Sequence, residues 1–199
     1  MKFVLASKNP HKITELQAIL GDLGVEVVLE SDVGVDLEVE ETGETFEENA
    51  ALKATAVMKA SGLPAIADDS GLCVDALGGA PGVYSARYGG EGLDDVDRYE
   101  LVLSGLRGQL DRRAKFVSAI CCAFPSGDVL TARGECPGSI AYAPQGENGF
   151  GYDPVFFVPE LRKTYAQMTA EEKNQVSHRG KALAKFKAEL EGYLNGTHQ

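Results

Sequence analysis

Leu63-Pro64-Ala65-Ile66-Ala67-Asp68-Asp69-Ser70-Gly71 decides how this chain is read, because an apolar run of strand length stops abruptly at two carboxylates. Short apolar runs closed by turn formers read as buried strands, whereas a helix needs a longer repeat. The strand is expected to end at Ala67, with Asp68-Asp69-Ser70-Gly71 turning the chain. Just before it, Thr45 and Glu48 have the spacing of a capping box. Phe46, Ala50, Ala54, Val57 and Met58 follow as an apolar stripe that Ser61-Gly62 closes. A helix thus leads into a strand, and the same alternation extends in both directions.

Toward the N-terminus, residues 2–6 read as a buried strand and residues 25–29 as a second one. Between them Pro10 opens a helix with Ile13, Leu16, Ile19 and Leu20 on one face, and Gly21 stops it. An acidic loop holding Asp36, Glu38, Glu40 and Glu41 comes next. Toward the C-terminus, Gly78-Gly79-Ala80-Pro81-Gly82 reads as a loop and residues 96–106 as a helix. Residues 114–124 and 129–136 form two strands joined by a hairpin turn at Pro125-Ser126-Gly127-Asp128. A glycine-rich loop at 146–151 leads through Tyr152-Asp153-Pro154 to a strand at 155–158. Thr169 with Glu172 makes a second capping box, and Ser177 caps a last helix striped by Leu183, Phe186, Leu190 and Leu194. The pattern predicts an α/β protein with a mixed β-sheet flanked by helices.

With 199 residues the chain fits one large domain or two intimately packed lobes. A net charge of −11 repels nucleic acid polymers and anionic membranes, yet a small polyanion remains acceptable where local cations and a metal ion receive it. The first segment is too short for a signal peptide, and no apolar run has the length to span a bilayer. Cys73, Cys121, Cys122 and Cys136 form no C-x-x-C pair, and only three histidines accompany them, which argues against zinc. Buried free thiols in a reducing cytoplasm fit this usage.

The oddities lie at helix starts. Ser7-Lys8-Asn9-Pro10-His11-Lys12 places cations where the helix dipole disfavours them by about 0.3–1 kcal/mol, and free N–H groups there suit phosphate. A capped surface helix with a solvated lysine is the plainer reading. Arg179 repeats the oddity on the last helix, facing its apolar stripe, where an anionic or keto-bearing ligand or a structural carboxylate would serve. Lys53 runs along the apolar edge of its helix near Asn49, either snorkelling or reaching a phosphate. Among Glu40, Glu41, Asp68 and Asp69, one Glu and one Asp are enough for Mg²⁺ completed by phosphates and water. Adjacent Asp68 and Asp69 point to opposite faces while the backbone stays extended. Phe150 and Tyr152, beside Gly149 and Gly151, are either base-stacking rings or core aromatics.

Six segments together resemble the inosine triphosphate pyrophosphatase family, in its bacterial xanthosine/deoxyinosine triphosphate branch. They are residues 7–12, Glu40-Glu41-Thr42-Gly43, Ala67-Asp68-Asp69-Ser70-Gly71, Gly78-Gly79-Ala80-Pro81-Gly82, Phe150-Gly151-Tyr152-Asp153-Pro154 and Ser177-His178-Arg179-Gly180, in the family's order. Lys8 departs from the pattern, since many members carry a small residue there. A single domain is expected over residues 1–195, with a frayed tail at 196–199. The resemblance implies an elongated mixed α/β fold of two lobes with a central nucleotide cleft, and a homodimer. It implies Mg²⁺-dependent hydrolysis of XTP, ITP and dITP to the monophosphate and pyrophosphate. Asp69 would be the metal-associated general base, with Glu41 or Glu40 helping to hold Mg²⁺. Ser7, Lys8, Asn9, Pro10, His11, Lys12, Lys53 and Lys173 would contact the triphosphate or sugar, and Ser70 the nucleotide. Phe150, Gly151, Tyr152 and Asp153 would orient the base, and His178 and Arg179 would read its 6-keto side.

Overall fold

Strand β1 (Lys2–Leu5) is followed by helix α1 (Pro10–Leu20), strand β2 (Glu26–Leu29), helix α2 (Phe46–Ser61) and strand β3 (Ala65–Val74). Helix α3 (Asp95–Gly105) precedes the strands β4 (Arg113–Ala123) and β5 (Val129–Ile140). Two short strands, β6 (Phe156–Val158) and β7 (Lys163–Thr164), lead to helices α4 (Ala170–Val176) and α5 (His178–Gly196). This computed structural model describes residues 1–196 apart from the side chains of Pro10 and His11. Residues 197–199 of the expected frayed tail lie outside the described residues. The hydrogen-bonded strand order is β2-β1-β3-β4-β5-β6-β7. β1 pairs in parallel with β2 and β3, while β6 pairs antiparallel with β5 and β7, so the sheet is mixed as expected.

Two compact units divide the chain. The first holds Met1–Asp69, Ser118–Gly134 and the chain from Lys181 onward. Its strands obey a strict period of two. Phe3, Leu5, Ile66, Ile120 and Cys122 pack with Leu16 and Leu20 of α1 and with Leu183, Phe186 and Leu190 of α5. The intervening residues Val4, Ala65, Ala67, Cys121 and Ala123 face Ala50, Ala54 and Val57 of α2. Both faces are covered by helices, which is why these strands read as nearly unbroken apolar runs. Thr45 Oγ1 accepts from the Glu48 N–H at 3.1 Å to start α2, and Gly62, at φ 72°, ends it with an N–H to Met58 O.

The second unit holds Ser70–Val117 and Glu135–Gly180. Its core gathers Leu72, Val74, Val102, Leu106, Phe116, Ile140, Phe156, Tyr165 and Met168. The second expected capping box is present, with Thr169 Oγ1 accepting from the Glu172 N–H at 3.1 Å and Glu172 Oε1 accepting from the Thr169 N–H. Ser177 Oγ accepts from the Gly180 N–H at 3.0 Å and so caps α5.

Several element ends shift by a residue or two, and four boundaries differ in ways with a local physical cause. β3 does not turn at Asp68-Asp69-Ser70-Gly71 but runs on to Val74. Lysines meet the two carboxylates from opposite sides, and that lets both acids sit in an extended strand. β5 continues past Cys136 through Pro137 and Gly138 to Ile140. At Gly138 a Cβ would stand within contact distance of Phe157 O, so the glycine admits β6 alongside. α1 gives way to a 3₁₀ turn at Gly21–Leu23, and its left-handed stop is Gly24 rather than Gly21. β6 starts one residue later than expected because Asp153–Val155 is a 3₁₀ turn. All four cysteines are free, three of them buried. Among the described residues no helix is long and apolar enough to cross a membrane.

Candidate functional site

Two side-chain clusters carry the expected residues, one in each unit. In the first unit the strand period sends Asp68 toward α1 and Asp69 toward α2. Lys12, on the first turn of α1, holds Asp68 with Nζ 2.9 Å from Oδ1 and 3.2 Å from Oδ2. Lys53 of α2 donates to the Asp68 carbonyl at 2.7 Å. The same ammonium lies 3.0 Å from Glu41 Oε1 and 3.8 Å from Asp69 Oδ1. One cation is therefore shared by three oxygens from a loop and a strand.

Asp69 is the under-satisfied member. Its side chain is 11% exposed, and Oδ2 is buried without a hydrogen bond among the described residues. Burial pushes its carboxyl up to about 6; Lys53 pulls it down, Glu41 pushes it up, and Asn49 and Asp68 act more weakly in opposite senses. Asn49 is fully buried, and its Oδ1 accepts from the Gly43 N–H at 2.8 Å. Its Nδ2 lacks a partner of hydrogen-bond geometry among the described residues, yet it lies near enough to Asp69 to lower that carboxyl's pKa. Gly43 must be glycine for spatial reasons, because a Cβ there would sit 2.7 Å from Asn49 Oδ1 and 2.7 Å from Glu48 Cβ.

The start of α1 carries no acid. Ser7 Oγ accepts from the Asn9 N–H at 3.1 Å, and Lys8 reaches Asp36 and Glu38 at 3.5 and 3.7 Å on the surface. The expected side-chain contacts of Pro10 and His11 lie outside the described residues. Glu41 is partly buried against Lys53, whereas Glu40 is exposed. Among the described residues no three His, Cys, Asp or Glu side chains gather as a metal-binding group. The bare Oδ2 of Asp69 with the Glu41 carboxylate does fit a hard divalent cation, which takes one or two carboxylates and fills its shell with phosphate and water.

In the second unit Lys173 Nζ binds Asp153 Oδ2 at 2.7 Å and lies 5.0 Å from the centre of the Phe150 ring. Asp153 is buried, which raises its pKa despite Lys173, and its Oδ2 also accepts from the Phe150 N–H at 3.1 Å. Gly149, at φ 75°, lies so close to that carboxylate that a Cβ would overlap Oδ2. The Gly151 N–H donates to Asp95 Oδ2 at 2.9 Å, and Asp95 was not singled out by sequence. Tyr152 is buried, its hydroxyl donating to Ser85 O at 2.6 Å, whereas Phe150 is 73% exposed. Of the two aromatics only Phe150 offers a ring face to solvent. His178 and Arg179 begin α5, half-buried, and Gly180 lies close against Asn174 O. Ser70 is exposed on β3.

A mixed α/β sheet thus carries two mid-strand carboxylates, each with a lysine beside it. The Ham1 family model matches residues 3–189. A dITP/XTP pyrophosphatase of Exiguobacterium sp. is 53% identical over 98% of this chain and 100% of its own length. That of Thermus thermophilus is 50% identical over 98% of this chain and 93% of its own. Among solved structures, the Staphylococcus aureus Ham1 protein aligns with a TM-score of 0.92 at 47% identity, covering 97% of this chain and 100% of that one. A nucleoside-triphosphatase / dITP/XTP pyrophosphatase from Mycobacterium abscessus aligns at 0.82 and 47%, covering 93% and 97%. The chain belongs to the Ham1 family, and the resemblance read from its six segments is borne out.

Proposed function

We propose that this protein hydrolyses non-standard purine nucleoside triphosphates, namely XTP, ITP and dITP, to the monophosphate and pyrophosphate with Mg²⁺. The observation that carries the reading is Asp69, a largely buried carboxylate whose Oδ2 makes no hydrogen bond among the described residues and whose pKa burial pushes up to about 6. Without metal such a carboxyl is largely ionised at neutral pH, and a bound Mg²⁺ would favour the ionised form further, leaving it able to orient a water and receive its proton. Asp69 takes a proton from a water aimed at the α-phosphorus. The new P–O bond forms as the bond to the α–β bridging oxygen breaks, and pyrophosphate leaves with that electron pair. Asp69 and Glu41 would hold Mg²⁺, with the solvent-facing Glu40 a poorer candidate. When bound, the ion neutralises phosphate charge and polarises the phosphoryl oxygens.

Lys12 and Lys53, with Ser7, Lys8, Asn9, Pro10 and His11 at the start of α1, would receive the triphosphate. In the second unit Phe150 would stack on the base while Gly151, Tyr152 and Asp153 fix its loop. Lys173 and Ser70 would touch the nucleotide. His178 and Arg179 would donate to a 6-keto oxygen. Adenine presents donors there, an unsatisfied arrangement costing roughly 1–3 kcal/mol per group. A cytoplasmic homodimer completes the proposal; the free thiols support a reducing compartment.

The test is a substrate panel of XTP, ITP, dITP, ATP, GTP and dUTP with Mg²⁺ and separate pyrophosphate and orthophosphate readouts. Pyrophosphate should appear much faster from the first three. Equal rates across the panel, or orthophosphate as the product, would overturn the reading.

A further inference from the structure

Tyr165 has a role that none of the assigned contacts explains. Its ring is fully buried, stacked on Phe116 at 5.3 Å and 7° and met edge-on by Phe156 at 4.8 Å. The hydroxyl is thereby fixed in place. The His178 ring lies on Phe116 at 4.7 Å and 13°, nearly parallel to Tyr165. Tyr165 Oη and His178 Nδ1 stand 3.3 Å apart.

The neighbours of the phenol bear on which of the two carries the proton. The backbone N–H of His178 donates to the Tyr165 oxygen and so takes up one of its acceptor positions. Burial raises the phenol pKa, so the O–H is retained at all working pH values. Cys136 is the other neighbour, but sulfur is a weak acceptor, and its own thiol points to Pro137 O at 3.8 Å. The unprotonated imidazole nitrogen is the stronger acceptor for the phenol proton.

We infer that Tyr165 is a positioning residue for His178: its O–H donates to Nδ1 and holds the imidazole as the Nε2–H tautomer, whose outer N–H is offered to the 6-keto oxygen of the purine. The hydrogen bond at one ring nitrogen decides the state of the other. The substrate half of this inference rests on the proposed function, whereas the tautomer half does not. An Nδ1–H tautomer would turn a bare nitrogen toward the base and favour adenine's amino group instead.

The test uses ¹⁵N-histidine-labelled, ligand-free protein, in which His178 is one of three histidines. Its resonances are assigned by their loss in His178→Asn. Wild type should show Nε2–H with an unprotonated Nδ1. Tyr165→Phe should populate both tautomers and lower the ratio of kcat/KM for ITP over ATP roughly tenfold, the loss of one well-made polar contact. The change should fall on KM for ITP, whereas a merely structural defect lowers both substrates together. An Nδ1–H tautomer in wild type, or an unchanged tautomer in Tyr165→Phe, overturns the inference. The wild-type spectrum needs no variant to fold and no substrate, so its failure is separable from a failure of the substrate panel.

Discussion

Each unit holds an aspartate largely withdrawn from solvent beside a lysine, and the two pairs are built to opposite ends. Asp153 is closed: Lys173 lies at 2.7 Å, and the same oxygen takes the Phe150 N–H. Asp69 is open: Lys53 stays 3.8 Å away, engaged with Glu41 and the Asp68 carbonyl, and Oδ2 makes no hydrogen bond of good geometry among the described residues. Burial is the largest influence on both acids and raises both. The difference lies in how fully each charge is answered. A satisfied carboxylate ties down a loop, whereas an unsatisfied one is left ready to take a proton or a cation.

Replacing Asp69 tests the open end most severely. Asp69→Asn should lower kcat roughly 10²–10⁴-fold, the usual contribution of a general base. The same variant should be more stable than wild type. With a folded pKa near 6 against 3.8 unfolded, the folded state holds the proton more tightly. The acid's favourable contribution is thus present below pH 3.8 and lost as pH rises through 6. Asparagine escapes that loss, gaining up to about 3 kcal/mol above pH 7 and nothing near pH 3. Urea melts at both pH values without Mg²⁺ check this, and equal stability at high pH would erase the contrast.

The closed end should respond in the other direction. Asp153→Ala strands Lys173, itself 22% exposed, and the Phe150 N–H, and should destabilise by about 2–3 kcal/mol, below the usual range for a wholly buried pair. A change under about 0.5 kcal/mol would show that the pair does not tie the loop. Phe150→Ala should be the mildest, within about 0.5 kcal/mol of wild-type stability because the ring faces solvent. It should still raise KM for ITP roughly tenfold through lost stacking, with kcat little changed.

Local signals were legible and distant ones were not. The caps at Thr45, Thr169 and Ser177 are decided within three residues, and each stands where its sequence placed it. The alternation of strands and helices followed from apolar periods alone. β3 was cut short because Asp-Asp-Ser-Gly has turn composition, and what keeps it extended is Lys12, 56 positions away from Asp68. Tyr152 and Phe150 looked alike beside their glycines; only packing against Ser85 separates a core ring from an exposed one. Glu41 and Glu40 were equivalent in sequence, and Lys53 distinguishes them. Asn49 was noticed only as a neighbour of Lys53. Its buried amide, pinned by Gly43, is a polar break in an apolar helix face whose purpose depends on tertiary contact.

Gly43 bears on how this sequence is free to drift. Its backbone is not in the left-handed region, so an alanine would meet no torsional objection there. The obstacle is the room its missing methyl would need beside Asn49 and Glu48. A redesign that protects only glycines with unusual dihedrals would treat position 43 as an easy gain in helix-side rigidity. Such an edit would push the Asn49 amide out of alignment and disturb the carboxylate it faces, without altering any residue of the reaction itself.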